Sequence, residues 1–406
     1  MRDDAIQIIN KTISDVLPDK IVKEAIQQLG LKGEVYVVAI GKAAWIMAHT
    51  ASQILNDQIK EGIIVTKYNH SRGEINKFEI IESGHPIPDE NSVLGARKII
   101  EMFDRIPQTA TVLMLISGGG SSLVELCMPG ITLNDIQDVT EQMLKCGANI
   151  LEINVLRKKL SAIKGGKLSG YLKGQKQYSI ILSDIIGDRD DMIASGLTYP
   201  DKFTRKDVEA IINKYQLKLP EAVMQIIRNC KPVETVAVEN HVIGSVDELC
   251  RAAARHAEEL GYCPHIVSTS LQCEACEASR WIIEECAEKF ERPCAIIAGG
   301  ETVVIVKGDG LGGRNQEIAL SGAKYLSGQK DVLLFSLGSD GTDGPTDAAG
   351  GIVDGDSLGK LEMQEIDVDQ VLQKNDSYHA LEKIDGLIKT GATGTNVNDV
   401  TVLLKR

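Results

Sequence analysis

Short, nearly continuous apolar runs alternate with stretches of helical periodicity along almost the whole chain. Glu34–Ile40 (EVYVVAI) is such a run, and Ala43–Leu55 follows it with apolar residues at helical spacing. Runs of this kind read as strands buried on both faces, and the 3.6-residue pattern reads as the helices that cover them. Further strands are predicted at Gly62–Thr66, Phe78–Glu82, Thr111–Ile116 and Tyr178–Ser183, after two N-terminal helices, and 131–163 is predicted mainly helical.

Composition changes near Cys230–Asn240 (CKPVETVAVEN), which predicts a linker there. A second alternating set follows: a strand at His241–Gly244, a helix to Leu260, strands at Pro264–Val267, Cys294–Ala298, Thr302–Val306 and Val332–Leu337, and helices between them. A last strand, Val400–Leu404, can return to either half. The expectation is an α/β fold of two α/β domains, divided at about residue 235, with ligands bound at strand ends in a cleft between them.

The chain has 406 residues, a length that suits two cores better than one. Its net charge of −13 speaks against nucleic acid or an anionic membrane as the main partner, so an anionic ligand requires locally concentrated cations. The N-terminus has the pattern of an amphipathic helix and lacks a signal-peptide core, and no apolar run approaches the ~18 residues that span a bilayer. Nine scattered cysteines fit reduced thiols, and the expected location is the cytoplasm. Cys273 and Cys276 form a C-x-x-C pair without a second pair of zinc-ligand spacing, so they are expected to be packing residues.

Chemistry concentrates in loops that follow predicted strands. The richest is 336–351, SLGSDGTDGPTDAAGG, where Asp340, Asp343 and Asp347 are spaced by glycine and threonine. Glycine lets backbone N–H groups approach phosphate, and aspartates can hold the Mg²⁺ that bridges phosphate oxygens, although the same residues also build ordinary turns. A glycine turn puts Lys42 at the start of a helix, where it can meet an anion or simply be a surface lysine. Ser117 to Ser122 (SGGGSS) reads as a phosphate cradle formed by Gly118, Gly119, Gly120, Ser121 and Ser122. The segment 183–188 (SDIIGD) supplies Asp184, Gly187 and Asp188, as a site carboxylate or a helix cap. Lys164 belongs to a basic cluster with Arg157, Lys158, Lys159 and Lys167, which is either an anion site or a solvated face. Gly308, Gly310 and Gly313 match G-x-G-x-x-G, but no acid ends the next strand, so a dinucleotide fingerprint is not expected.

Taken together, VAIGKAA at 38–44, SGHPIPDENS at 83–92, ISGGGSSL at 116–123, INVLRKKLSAIKGGKLS at 153–169 and LSDIIGDRDDMIASGLTYPD at 182–201 closely resemble the class II glycerate kinase family. AGGETVV at 298–304, GLGGRNQEIAL at 310–320, GSDGTDGPTDAAGGIVD at 338–354 and TGATGTNVNDV at 390–400 extend the resemblance end to end. It implies an N-terminal Rossmann-like domain over 1–235 and a smaller, MOFRL-like α/β domain over 236–406. It also implies ATP-dependent phosphorylation of D-glycerate to 2-phosphoglycerate with Mg²⁺ or another divalent metal, by a cytoplasmic monomer or homodimer. Lys42 and Arg314 would be the catalytic cations, with Asp184 as a catalytic or metal-binding carboxylate beside Asp340 and Asp343. Gly118, Gly119, Gly120, Ser121, Ser122, Lys164, Gly187, Asp188, Gly299, Gly300, Glu301, Asn315, Thr395 and Asn396 would hold nucleotide. Leu197 and Ala392 stand where the family pattern has proline, and Cys273 and Cys276 replace residues of a GEAR-like segment. Two rivals are an NAD(P)H-dependent hydroxypyruvate reductase, for which only His85 lies in a suitable loop, and a non-catalytic nucleotide sensor, which would have lost a loop cation or carboxylate.

Overall fold

The computed structural model describes residues 1–183, 190–230 and 237–406. These divide into two compact units, one built from residues within 22–243 and the other from 1–21 together with 244–406.

The first unit holds a six-stranded parallel sheet of β1 (Val35–Ile40), β2 (Ile59–Lys67), β3 (Phe78–Ser83), β4 (Thr111–Ile116), β5 (Lys176–Leu182) and β6 (Glu239–Ile243). The spatial order is β3-β2-β1-β4-β5-β6, with every neighbouring pair parallel. All six residues of β4 are buried, which is why the sequence there is apolar from Val112 to Ile116. The strand expected to open the second half, around His241, instead pairs with β5 as the edge of this sheet. Within the SGHPIPDENS motif, Asp89 accepts the Ser92 N–H at 3.0 Å and Ser92 Oγ accepts the Asp89 N–H at 3.0 Å, so part of that motif is a capping box for the helix Glu90–Arg105. The expected helical region 131–163 forms helices Leu133–Lys145 and Ile150–Leu160.

The second unit is built on a mixed sheet of β7 (Cys263–Leu271), β8 (Cys294–Gly300), β9 (Val332–Gly338), β10 (Gly350–Asp354), β11 (Leu387–Ile388) and β12 (Asp399–Lys405), in the order β11-β10-β9-β12-β8-β7. Only β7 and β8 are parallel. The last strand enters the middle of this sheet and runs antiparallel to both β8 and β9. The segment expected as a strand at Thr302–Val306 lies outside the sheet, tied by one isolated bridge between Val303 and Glu274. Strands β10 and β11 carry no sequence signal of their own: one starts on two glycines and the other has two residues. The N-terminal helix Arg2–Asp15 belongs to this unit and packs on Val246–Glu259, where Asp15 meets His256 at 2.9 Å and Arg255 at 3.1 Å.

Candidate functional site

In the parallel sheet the chain reverses its direction of growth between β1 and β4, the place where open α/β sheets bind ligands at their C-terminal strand ends. The loops after these two strands interlock there. The Lys42 N–H donates to the Gly118 carbonyl at 2.9 Å, and the Ala43 N–H donates to Ser117 Oγ at 3.1 Å. Gly41 has φ +129°, and a Cβ at that position would lie 2.1 Å from Ser117 Oγ, so the approach of the two loops requires glycine. Lys42 is exposed and has no ion-pair partner among the described residues.

Gly119, at φ +85°, forms the floor beside it. A Cβ there would sit 3.1 Å from Lys42 Cγ, 3.1 Å from His85 Cδ2 and 3.3 Å from His85 Nε2. Burial lowers the pKa of His85, and Lys42, Lys67, His70 and Arg157 lower it further. This edge of the sheet is therefore a cationic basin. Its other wall is a hydroxyl chain: Ser121 Oγ lies 2.8 Å from Ser195 Oγ, and Ser195 Oγ donates to Asn154 Oδ1 at 2.8 Å. Ala194 and Ser195 both have positive φ, 49° and 56°, a strained pairing for non-glycine residues. Asn154 and Ser195 lie in quoted motifs without any sequence feature that separates them from their neighbours.

The basic cluster is resolved by its partners. Lys164 Nζ is fully buried, 2.7 Å from Glu125 and 3.0 Å from the Val124 carbonyl, so this lysine is held as an internal ion pair. Lys158 pairs with Asp191 at 3.1 Å and Lys159 with Asp201 at 2.7 Å. Asp184, Gly187 and Asp188 lie outside the described residues.

In the second unit the register of β12 assembles another group. Asp399 stands opposite both Gly300 and Gly338, which brings Glu301, Asp399 and Asp340 to one end of the sheet. Arg314 opens the helix Arg314–Leu326 and forms a fork with Asp399, Nε to Oδ2 at 2.5 Å and Nη2 to Oδ1 at 3.0 Å, while Nη1 lies 3.1 Å from Glu301. A guanidinium has five N–H groups, so two remain for an anion. Burial pushes the Asp399 carboxyl up to about 6, against the pull of Arg314, and at neutral pH the pair is charged. Asp399 lies in the quoted motif 390–400, without any sequence feature that separates it from its neighbours.

The expected metal and nucleotide residues separate by environment. A Cβ on Gly338 would lie 3.3 Å from Asp340 Oδ1 and 3.4 Å from Asp399 Oδ1, and among the described residues the Asp340 carboxylate is otherwise engaged by the Thr342 N–H alone, at 2.9 Å. Asp343 is buried and accepts from the Asn315 and Gln316 N–H groups, at 3.2 and 2.8 Å, and from both side-chain amides. Those contacts make it the cap of the Arg314 helix. Asn315 is fully buried between Asp343 and Ser336, and the Thr395 hydroxyl donates to the Val16 carbonyl at 3.0 Å. Asn396 is exposed. Gly299 and Gly300 allow close packing against Cys250 and Leu271.

A cavity of about 650 Å³ opens beside Arg314, with Glu301, Thr302, Glu317 and Asn375 in its wall. Added Cβ atoms on Gly308, Gly310 and Gly313 would strike Lys374, Lys374 and Asp343 at 2.4, 2.5 and 2.3 Å. These glycines thus permit packing of chain on chain, and the G-x-G-x-x-G spacing there is fortuitous. Among the described residues one group has metal-ligand spacing, Glu274, Cys276 and Glu317, while Asp340 and Asp343 belong to none.

Sequence comparison finds two family models along the chain, a domain of unknown function (DUF4147) over residues 4–228 and the MOFRL family over residues 294–399. The chain is 48% identical to a D-glycerate 2-kinase of Thermotoga maritima, over 98% of this chain and 97% of that one. It belongs to the class II glycerate kinase family. A glycerate 2-kinase of Pyrococcus horikoshii is 43% identical, with 96% and 91% of the two chains covered. A putative hydroxypyruvate reductase of Agrobacterium vitis is 37% identical, covering 92% and 87%. The crystal structure of the Thermotoga glycerate kinase superposes with a TM-score of 0.95 at 47% identity, covering 100% of this chain and 99% of that one. Family membership and the α/β architecture expected from the sequence therefore stand together. No described helix is long and apolar enough to cross a membrane.

Proposed function

We infer that this chain is a glycerate 2-kinase that transfers the γ-phosphoryl group of ATP to D-glycerate. The near-complete match to the Thermotoga D-glycerate 2-kinase carries this reading, with the loop cations of the family pattern in place. Phosphoryl transfer asks a protein for positioning and charge neutralisation more than for covalent chemistry. Lys42, exposed and without an ion pair among the described residues, stands beside the glycine loop at the β1–β4 switch point and suits the charge of the transferring phosphoryl group. The two open N–H groups of Arg314 suit the glycerate carboxylate, since a planar fork matches a carboxylate bidentately. Gly118 to Ser122 would cradle phosphate.

A divalent metal fits the second unit, because Glu301, Asp399 and Asp340 together outnumber the charge of Arg314. Asp340 has an uncommitted carboxylate oxygen and would be the ligand there, with Asp184 a further candidate; Asp343 would act through the Arg314 helix that it caps. Mg²⁺ held there would offset the negative charge of the phosphates. Nine free cysteines accord with a reducing, cytoplasmic location. The experiment is NMR of the product formed from D-glycerate and MgATP by the purified protein. Appearance of 2-phosphoglycerate is expected; formation of 3-phosphoglycerate, or of no phosphorylated product, would overturn the reading.

A further inference from the structure

The cationic basin of the first unit needs a proton acceptor if a hydroxyl is to be phosphorylated there, and the described side chains offer few. Asp89 is taken up by Tyr68 at 2.7 Å and by the helix that it caps. His70 Nδ1 lies 3.2 Å from the Lys42 carbonyl, and it is His85, not His70, whose ring lies nearest Gly119. Asp191 is the counter-ion of Lys158. His85 is different: it is half-buried, its ring lies against Gly119 beside the Lys42 stem, and its ring nitrogens make no hydrogen bond among the described residues.

The charged groups that act most on His85 come from several neighbouring elements among the described residues. Lys42 follows β1, Lys67 ends β2, His70 follows it, and Arg157 projects from the helix Ile150–Leu160. Each disfavours an imidazolium, and burial acts in the same direction, so the ring is held neutral and able to accept a proton at neutral pH. A second cation next to Lys42 would be redundant for binding an anion. Among the described residues, a neutral base is the group that the basin otherwise lacks.

We propose that His85 is a catalytic residue, the proton acceptor for the substrate hydroxyl, acting from the floor of the Lys42–Gly119 basin. The proposal rests on the kinase reading above. In the step, the O–H bond of the acceptor hydroxyl breaks and its proton passes to a ring nitrogen of His85. The oxygen's electron pair forms the new O–P bond, while the bond from the γ-phosphorus to its bridging oxygen breaks and ADP leaves with that pair. The neighbouring cations then favour release of the proton from the imidazolium, which returns the base for the next turnover.

The test compares the full-length protein with His85→Gln and His85→Asn in a coupled ADP-release assay across pH, with D-glycerate and MgATP saturating. Loss of a general base should lower kcat by about a hundredfold or more, leave the KM for MgATP within about twofold, and remove the acid limb of the wild-type profile. Titration of the His85 ring by NMR in the wild-type protein with ADP and D-glycerate should give the pKa of that limb. A kcat within about threefold of wild type in either folded variant, or a ring pKa that does not match the limb, would overturn the role. Should the wild-type protein not phosphorylate glycerate at all, the kinase reading itself fails, an outcome distinct from either of these.

Discussion

Replacing Asp399 by asparagine asks whether one carboxylate, brought to Arg314 from 85 residues away, sets the geometry of the anion-binding fork. Asp399 accepts two charge-assisted N–H bonds, at 2.5 and 3.0 Å, and its side chain is 7% exposed. Asparagine keeps one acceptor, loses the charge and presents an amide N–H where Arg314 has its own. A hydrogen bond to a charged group is worth about 1.5–3 kcal/mol. Arg314 is partly solvated and keeps Glu301 at 3.1 Å, so the full cost of stranding a buried charge does not apply. Asp399→Asn should therefore cost about 1.5–3 kcal/mol, which is roughly tenfold to 150-fold if the whole loss is expressed in kcat/KM. The loss should fall on kcat/KM for D-glycerate, through a higher KM and a misplaced hydroxyl, while the KM for MgATP stays nearly constant. Steady-state kinetics on Asp399→Asn, Arg314→Lys and the double variant form the assay, with circular dichroism to confirm folding. Both single changes break the same fork, so the double variant should be much less damaged than their sum. Full additivity, or an Asp399→Asn variant within about twofold of wild type, would refute the idea that Asp399 positions Arg314.

Four further predictions follow from the same contacts. Lys42→Ala should lower kcat strongly and leave the KM for glycerate within a small factor, because a group serving the transferring phosphoryl charge acts on the transition state; a near-normal kcat would remove that role. Asp15 is pushed up by burial, yet Lys20, His256 and Arg255 together bring it down to about 2. Its contribution is present above the unfolded carboxylate value and lost as pH falls toward 2, so Asp15→Asn should be less stable by at most about 2 kcal/mol at pH 7 and converge with wild type in acid urea melts. The purified protein should carry no stoichiometric zinc, because burial pushes the Cys276 thiol up to about 12 and Asn375 already donates to Glu317 at 2.9 Å; one zinc per chain by elemental analysis would contradict this. NADH should not be oxidised with hydroxypyruvate, because Gly308, Gly310 and Gly313 are covered by Lys374 and Asp343; robust turnover would count against the kinase.

The Lys42 and SGGGSS loops were legible because each follows a buried strand whose apolar run is unmistakable. Thr111–Ile116 is wholly apolar apart from its first residue, and the SGGGSS loop must then leave the sheet at its C-terminal edge. Lys42 was legible for the same reason, one glycine past β1. Periodicity could not give strand partners. Glu239–Ile243 follows the composition change but pairs with β5, and Gly350–Asp354 hides two of its five positions in glycines.

Taken alone, the sequence determined the alternation of strands and helices, the family, and which loops hold glycine, lysine and aspartate. These are local properties, written in residue type and spacing. Only the tertiary structure decided which of those groups are free to act. It buried Lys164 against Glu125, turned Asp343 into a helix cap, left Lys42 without a counter-ion among the described residues, and set His85, which follows β3, against Gly119, which follows β4 three strands away. It also ran the last strand between β8 and β9, which carries Asp399 to Arg314. The physical reason is that a side chain's charge state and availability depend on its neighbours in space. Those neighbours are fixed by sheet order and register between segments that share no local pattern.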